Sequence, residues 1–295
     1  MSGPSYDVFD VPVTGGDLRV GRWTASDPQA PVVLAVHGVT ANHLAWQFLG
    51  ALDRFTVLAP DLRGRGRSGP LVGASSMEQH ADDLLAVLDH VDGPMPLLVG
   101  HSMGGFVASA FVARNAERVT GTVLVDGGLP FPPLPEGVTT DQALNATIGP
   151  AAQRLTMTFP TPADYLDFWR PHPAFAGHWT REIEAYLTYD LEGTRSSVSL
   201  DAVREDSEGL LDAVRTGRWA QALPPGTAFL RAPRGMLDDP GGFYPGDLVD
   251  QHRSRFPQVD VRDVPGTNHY TIVMSEAGAV GVADGLDRVR AASAG

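Results

Sequence analysis

The chain has no cysteine among its 295 residues. This excludes disulfides, a cysteine nucleophile and thiolate metal sites together, and it agrees with a reducing, cytoplasmic setting. Lysine is absent as well. All 22 basic residues are arginine, so neither a Schiff-base lysine nor a P-loop lysine is available. Positive charge is scarce, with a formal net charge of −13, and a surface of that sign repels the phosphates of a nucleic-acid partner. No apolar run approaches the roughly 20 residues that a membrane-spanning helix needs, so no membrane span is expected. Residues 1–16 contain neither a basic stretch nor an apolar one, so no secretory signal is expected there. No HExxH pattern or His/carboxylate cluster points to a metal, and no cofactor is implied.

The residues that are present alternate between two periodicities. Two short alternating segments, 6–13 and 18–23, flank Thr14-Gly15-Gly16-Asp17 and read as a hairpin. Continuous apolar runs follow at 32–36, 55–59, 95–100 and 119–125, the pattern of strands buried on both faces in a parallel sheet. Between them lie helical patterns. Ser75 and Glu78 have capping-box spacing ahead of a helix over 77–91, and a second helix runs over 103–115. Strand–helix alternation of this kind predicts a doubly wound α/β sheet flanked by helices. The rhythm stops after Asp126. About 95 residues follow that are first proline-rich and then helical and aromatic, after which strands resume at 227–232 and 259–264 and a last helix occupies 276–292. The division expected is therefore a core of residues 1–127 and 223–295, interrupted by an inserted helical unit of residues 128–222.

Gly100-His101-Ser102-Met103-Gly104 matches G-x-S-x-G directly after an apolar strand and directly before a helix. That context is what a nucleophile elbow requires. The glycines allow the sharp turn and the close packing of strand on helix. A nucleophile also needs oxyanion donors and a base. The Met103 N–H is one donor. The other is the Val39 N–H, on the loop after the strand ending Val36-His37-Gly38, which makes His37 structural rather than a base.

Taken with Asp61-Leu62-Arg63-Gly64-Arg65-Gly66-Arg67-Ser68 and Gly266-Thr267-Asn268-His269, these motifs resemble the α/β-hydrolase fold family in order and spacing. The resemblance covers the chain outside the insertion. It implies a mostly parallel sheet, a helical lid (cap) inserted after the sixth strand, and a Ser–His–acid triad in that chain order. Of nine histidines, His269 follows the last strand on the catalytic edge and is the expected base. His80, His90 and His252 lie on helices and are expected to face solvent, whereas His43, His172 and His178 are candidates for the pocket wall. For the acid, Asp126 at the end of the strand beside the nucleophile strand is favoured, with Asp238 or Asp239 as the alternative. Gly235 stands where most of the family places a carboxylate. Trp46, Trp169, Trp179 and Tyr186 are candidate substrate contacts, and Phe243 and Tyr244 are placed to reach the pocket mouth.

Three other readings compete. Gly64-x-Gly66-x-x-Gly69 fits a dinucleotide fingerprint, but Pro70 follows it and no helix starts until about Ser75, so no helix N-terminus meets a pyrophosphate. A ligand-binding protein could use the same scaffold without turnover. Carbon–carbon bond hydrolases, lactonases and perhydrolases would use the same triad. The expected activity is hydrolysis of a small, apolar ester or related acyl compound, with a small molecule as the partner.

Overall fold

A computed structural model describes residues 3–69, 71 and 73–293, so Pro70 lies outside the described residues. Among the described residues there are ten strands and ten α-helices. The strands and helices read from periodicity in the core fall in the expected order, whereas the helices Gln47–Ala51 and Gly246–Arg255 and the short hairpin of Leu191–Glu192 with Arg195–Ser196 were not expected. The N-terminal hairpin is β1 (Ser5–Val13) and β2 (Gly16–Thr24), and it is followed by β3 (Val32–Val36), α1 (Gln47–Ala51) and β4 (Thr56–Pro60). Next come α2 (Met77–His90), β5 (Leu97–His101), α3 (Met103–Asn115) and β6 (Gly121–Val125). The segment after β6 holds α4 (Thr140–Gln153), α5 (Pro162–Trp169), α6 (Arg181–Asp190), a short hairpin of β7 (Leu191–Glu192) and β8 (Arg195–Ser196), α7 (Leu200–Leu211) and α8 (Ala213–Gln221). The chain ends with β9 (Thr227–Arg231), α9 (Gly246–Arg255), β10 (Val259–Asp263) and α10 (Glu276–Ser293).

Eight strands form one sheet in the order β1-β2-β4-β3-β5-β6-β9-β10. The hairpin and its pairing with β4 are antiparallel, and every other pairing is parallel. β5 is buried along its whole length, as expected of a central strand covered on both faces. α3 packs against both α2 and α8, and α1 packs with α10, which also lies against β6 and β9. α3 is buried at every residue from Met103 to Val112, so it is a core helix rather than a surface one.

Two close approaches fix the sheet edge where β3, β5 and β6 end. A Cβ on Gly104 would collide with the Val36 carbonyl, and one on Gly127 would collide with the Ser102 carbonyl. Only glycine lets β3, β5 and β6 end within touching distance of the start of α3. One capping detail differs from expectation. The N-cap of α2 is Ser76, whose side chain accepts from the Gln79 N–H at 3.1 Å. Ser75 is turned inward instead, toward His80 and Asp206.

Candidate active site

Ser102 sits in the turn between β5 and α3 with φ 55 and ψ −123. A serine in this left-handed region is strained, and the turn is held by the Ser102 N–H donating to Val125 O at 2.9 Å and the Gly105 N–H donating to Ser102 O at 2.9 Å. The side chain is thereby pushed out at the sheet edge, where it borders two cavities. The larger, about 240 Å³, is lined by Met103, Phe106, Phe131, Leu210, Met236 and Phe243 among others. The smaller, about 30 Å³, is bordered by Ala45, His101, Tyr186, His269, Tyr270 and Met274. Val39 borders both.

His269 lies beyond β10 and is nearly fully buried. Its Nδ1 is 2.7 Å from Asp126 Oδ2, and the other carboxylate oxygen accepts the Ala232 N–H at 3.1 Å. Asp126 follows β6 directly with φ 47, another positive value that turns its side chain along the edge toward β9. A proton on Nδ1 shared with the carboxylate leaves Nε2 as the basic nitrogen. The ring is backed by Phe243, with centroids 4.7 Å apart. His101, which the motif treats as a variable position, donates from Nε2 to the His269 carbonyl at 2.8 Å. Burial holds the His101 pKa well below the ordinary imidazole value, so it acts as a neutral donor.

The alternative acids are elsewhere. Asp238 pairs with Arg234 at 2.8 Å and accepts from Asn268 Nδ2 at 3.1 Å, while an Asp239 carboxylate oxygen accepts the Leu237 N–H at 3.3 Å. The structure brings Asp126, not these, to His269.

The loop after β3 is held from behind by His37, the residue expected to be structural, and by two buried arginines. His37 donates from Nδ1 to Gly38 O at 2.8 Å and accepts the Leu62 N–H at Nε2, 2.9 Å away. Burial depresses its pKa to about 4. Arg65 donates from Nε to Val39 O at 2.9 Å and forms an ion pair with Asp206 of α7 at 2.6 Å, both side chains fully buried. Burial alone would raise the Asp206 pKa, but His80 and Arg65 hold it down at about 2. Arg154, just after α4, donates to Thr40 O at 2.8 Å and pairs with Asp190 at 3.1 Å. Two arginine–aspartate pairs, each with its acid on the inserted segment, thus grip consecutive carbonyls of this loop. The signal available in the sequence was the motif residue Arg65. Nothing local marked Arg154 or Asp206.

Several expectations need correction. His80 is buried against Asp206 at 3.0 Å and His252 is buried, so neither faces solvent. His43 is buried with Asp61 at 2.8 Å, beside the Tyr6 hydroxyl at 2.7 Å, which takes it away from the pocket. Trp46 lies in the hydrophobic core. Trp169 packs on Phe168, His172 and Phe175, and Trp179 donates to Glu184 and lies under Arg170. Trp169 and Trp179 pack on neighbouring side chains of residues 128–222 rather than bordering either cavity at Ser102, whereas Tyr186 does border the smaller one. Phe243 borders the larger cavity, but Tyr244 is buried and donates its hydroxyl to Leu129 O.

Comparison with known proteins now adds to this geometry. A family model described as the alpha/beta hydrolase fold matches residues 31–212, more than half of the chain. The chain belongs to the α/β-hydrolase family. Lipase LipV of Mycobacterium tuberculosis is 39% identical over 112 residues, 37% of this α/β-hydrolase and 41% of the lipase. The chain therefore spans about two fifths of the length of that relative. The 2-(acetamidomethylene)succinate hydrolase of Mesorhizobium japonicum is 25% identical over 276 residues, covering 86% of this chain and 87% of that one. The crystal structure of E-2-(acetamidomethylene)succinate hydrolase superimposes with a TM-score of 0.73 at 21% identity, covering 96% of this chain and all of that one, a likeness of fold. Among the described residues of this α/β-hydrolase, no group of three or more His, Asp or Glu is placed to hold a metal ion, and no helix is long and apolar enough to cross a membrane.

Proposed function

We propose that this α/β-hydrolase is a serine hydrolase that cleaves an apolar, small-molecule ester through an acyl-enzyme. Ser102 Oγ attacks the acyl carbonyl, and its proton passes to His269 Nε2. Asp126 fixes the His269 tautomer and stabilises the imidazolium that forms. The Met103 N–H, at the first position of α3 where no intrahelical acceptor exists, and the Val39 N–H receive the oxyanion. Loss of either donor would cost about 3 kcal/mol of barrier. His269 then gives its proton to the leaving alcohol, and a water activated by the same nitrogen releases the acid. Residues 128–222 serve as the lid over the site, with α8 lying back against α3. The cysteine-free sequence fits a cytoplasmic location.

The observation that carries this reading is the 2.7 Å pairing of His269 with Asp126 beside a cavity that also contains the strained Ser102. A fluorophosphonate probe tests it. An activated serine gives a stoichiometric adduct that peptide mass spectrometry locates on Ser102. A folded protein left unlabelled at Ser102 would instead be a binding protein on a hydrolase scaffold.

A further inference from the structure

Ser102 lies where two cavities of unequal size meet, and the chemistry of ester cleavage assigns each a different half of the substrate. In the tetrahedral intermediate the former carbonyl oxygen faces the Val39 and Met103 peptides. The leaving oxygen must lie within hydrogen-bond reach of His269 Nε2 to receive its proton. The alcohol therefore departs on the side that His269 borders, which is the cavity of about 30 Å³ bordered by Tyr186, Tyr270, Val273 and Met274. A space of that size holds one or two water-sized groups. The acyl chain is left with the cavity of about 240 Å³, walled by Phe106, Phe131, Leu210, Leu211 and Phe243. Apart from Ser102, the polar side chain among the described residues of that wall is Ser207, whose hydroxyl is already engaged with Val203 O at 2.6 Å. A carboxylate on the acyl chain would lose its water there without gaining a partner.

From this juxtaposition we propose that the enzyme is specific for esters of a small alcohol, methyl or ethyl in size, with an uncharged apolar acid of several carbons. The proposal rests on the reading of Ser102 as nucleophile given above. The reaction balances with water alone: the ester C–O bond breaks, the Ser102 proton reaches the alcohol through His269, and water splits the acyl-enzyme to the acid and free Ser102.

Methyl heptanoate and hexyl acetate are isomers, so they match in size and polarity and differ only in which side of the carbonyl is long. The wild-type enzyme is expected to hydrolyse methyl heptanoate with a kcat/KM at least about tenfold above that for hexyl acetate, the discrimination expected when even one surplus methylene meets a wall. Met274→Ala, which opens the small cavity, should narrow that ratio, and Leu210→Trp, which fills the large one, should favour methyl acetate over methyl heptanoate. A monomethyl ester of a dicarboxylic acid of matching length should be a poorer substrate than methyl heptanoate. An equal or reversed preference for hexyl acetate, with both activities lost in Ser102→Ala, overturns the cavity assignment and leaves serine hydrolysis standing. A ratio that stays fixed in a folded Met274→Ala protein overturns it too. Failure of the wild type to hydrolyse either ester overturns this proposal and the ester reading together.

Discussion

Arg154 donates a hydrogen bond to the backbone carbonyl of Thr40 at 2.8 Å, although 114 residues separate the two. Thr40 directly follows Val39, whose own carbonyl is gripped by Arg65. Fixing both carbonyls holds the two peptide planes that follow Val39, while the plane that carries the Val39 N–H is held at its Gly38 carbonyl by His37 Nδ1, so the whole loop is pinned from behind. The arginines are anchored in turn by Asp206 and Asp190, both within residues 128–222.

Arg65→Met is therefore expected to lower kcat by about tenfold to a hundredfold while leaving KM within a few-fold, because a misplaced oxyanion donor weakens the transition state more than the ground state. Steady-state kinetics on one ester, with circular dichroism to verify folding, would check this. A rise in KM alone would assign Arg65 to substrate binding instead.

Asp206 and Asp238 offer a contrast in stability. Removing the fully buried Asp206 strands the Arg65 charge, and Asp206→Ala should cost about 3–5 kcal/mol in urea unfolding. The exposed Asp238–Arg234 pair should be worth less than about 1 kcal/mol by the same measurement. Comparable losses would mean that the buried Arg65–Asp206 pair contributes no more stability than an exposed one.

Asp126→Asn should lower turnover by about four orders of magnitude with the fold intact, since an amide favours the wrong His269 tautomer. Asp238→Asn and Asp239→Asn should remain within a few-fold of wild type. The reverse result would move the acid to the loop after β9.

Acid sensitivity follows from the buried imidazoles. Burial lowers His37, His172 and His252 each to about 4, and His101 well below the ordinary 6.5. In the unfolded chain these rings take up protons near pH 6.5, whereas in the folded protein they stay neutral down to about pH 4. Between those values the unfolded state binds more protons, so stability falls as pH falls. The urea midpoint should be level above pH 6.5 and decline steadily toward pH 4. A midpoint unchanged across that interval would contradict the neutral, buried state of these histidines.

The sheet core was legible because its signals are local. The run 32–36 coincides with β3, and 227–232 overshoots β9 by one residue. That Ser102, Asp126 and His269 come together was legible for a related reason, since Ser102 and Asp126 directly follow β5 and β6 and His269 lies on the loop after β10. The lid was opaque. An aromatic residue reads alike in sequence whether it borders a cavity, as Tyr186 does, or packs on a neighbouring ring, as Trp169 does on Phe175. His80 illustrates the same limit. Its place on α2 suggested solvent, and only the tertiary arrival of Asp206, 126 residues later, makes a buried pair of it.

The most direct measurement is hydrolysis of methyl heptanoate followed by pH-stat titration for the wild type and for Ser102→Ala. The mechanism predicts acid release by the wild type and its loss in the folded variant by at least about three orders of magnitude. Acid release that survives in Ser102→Ala, or a folded wild type that releases none from any ester, would contradict the assignment of Ser102 as nucleophile in ester hydrolysis.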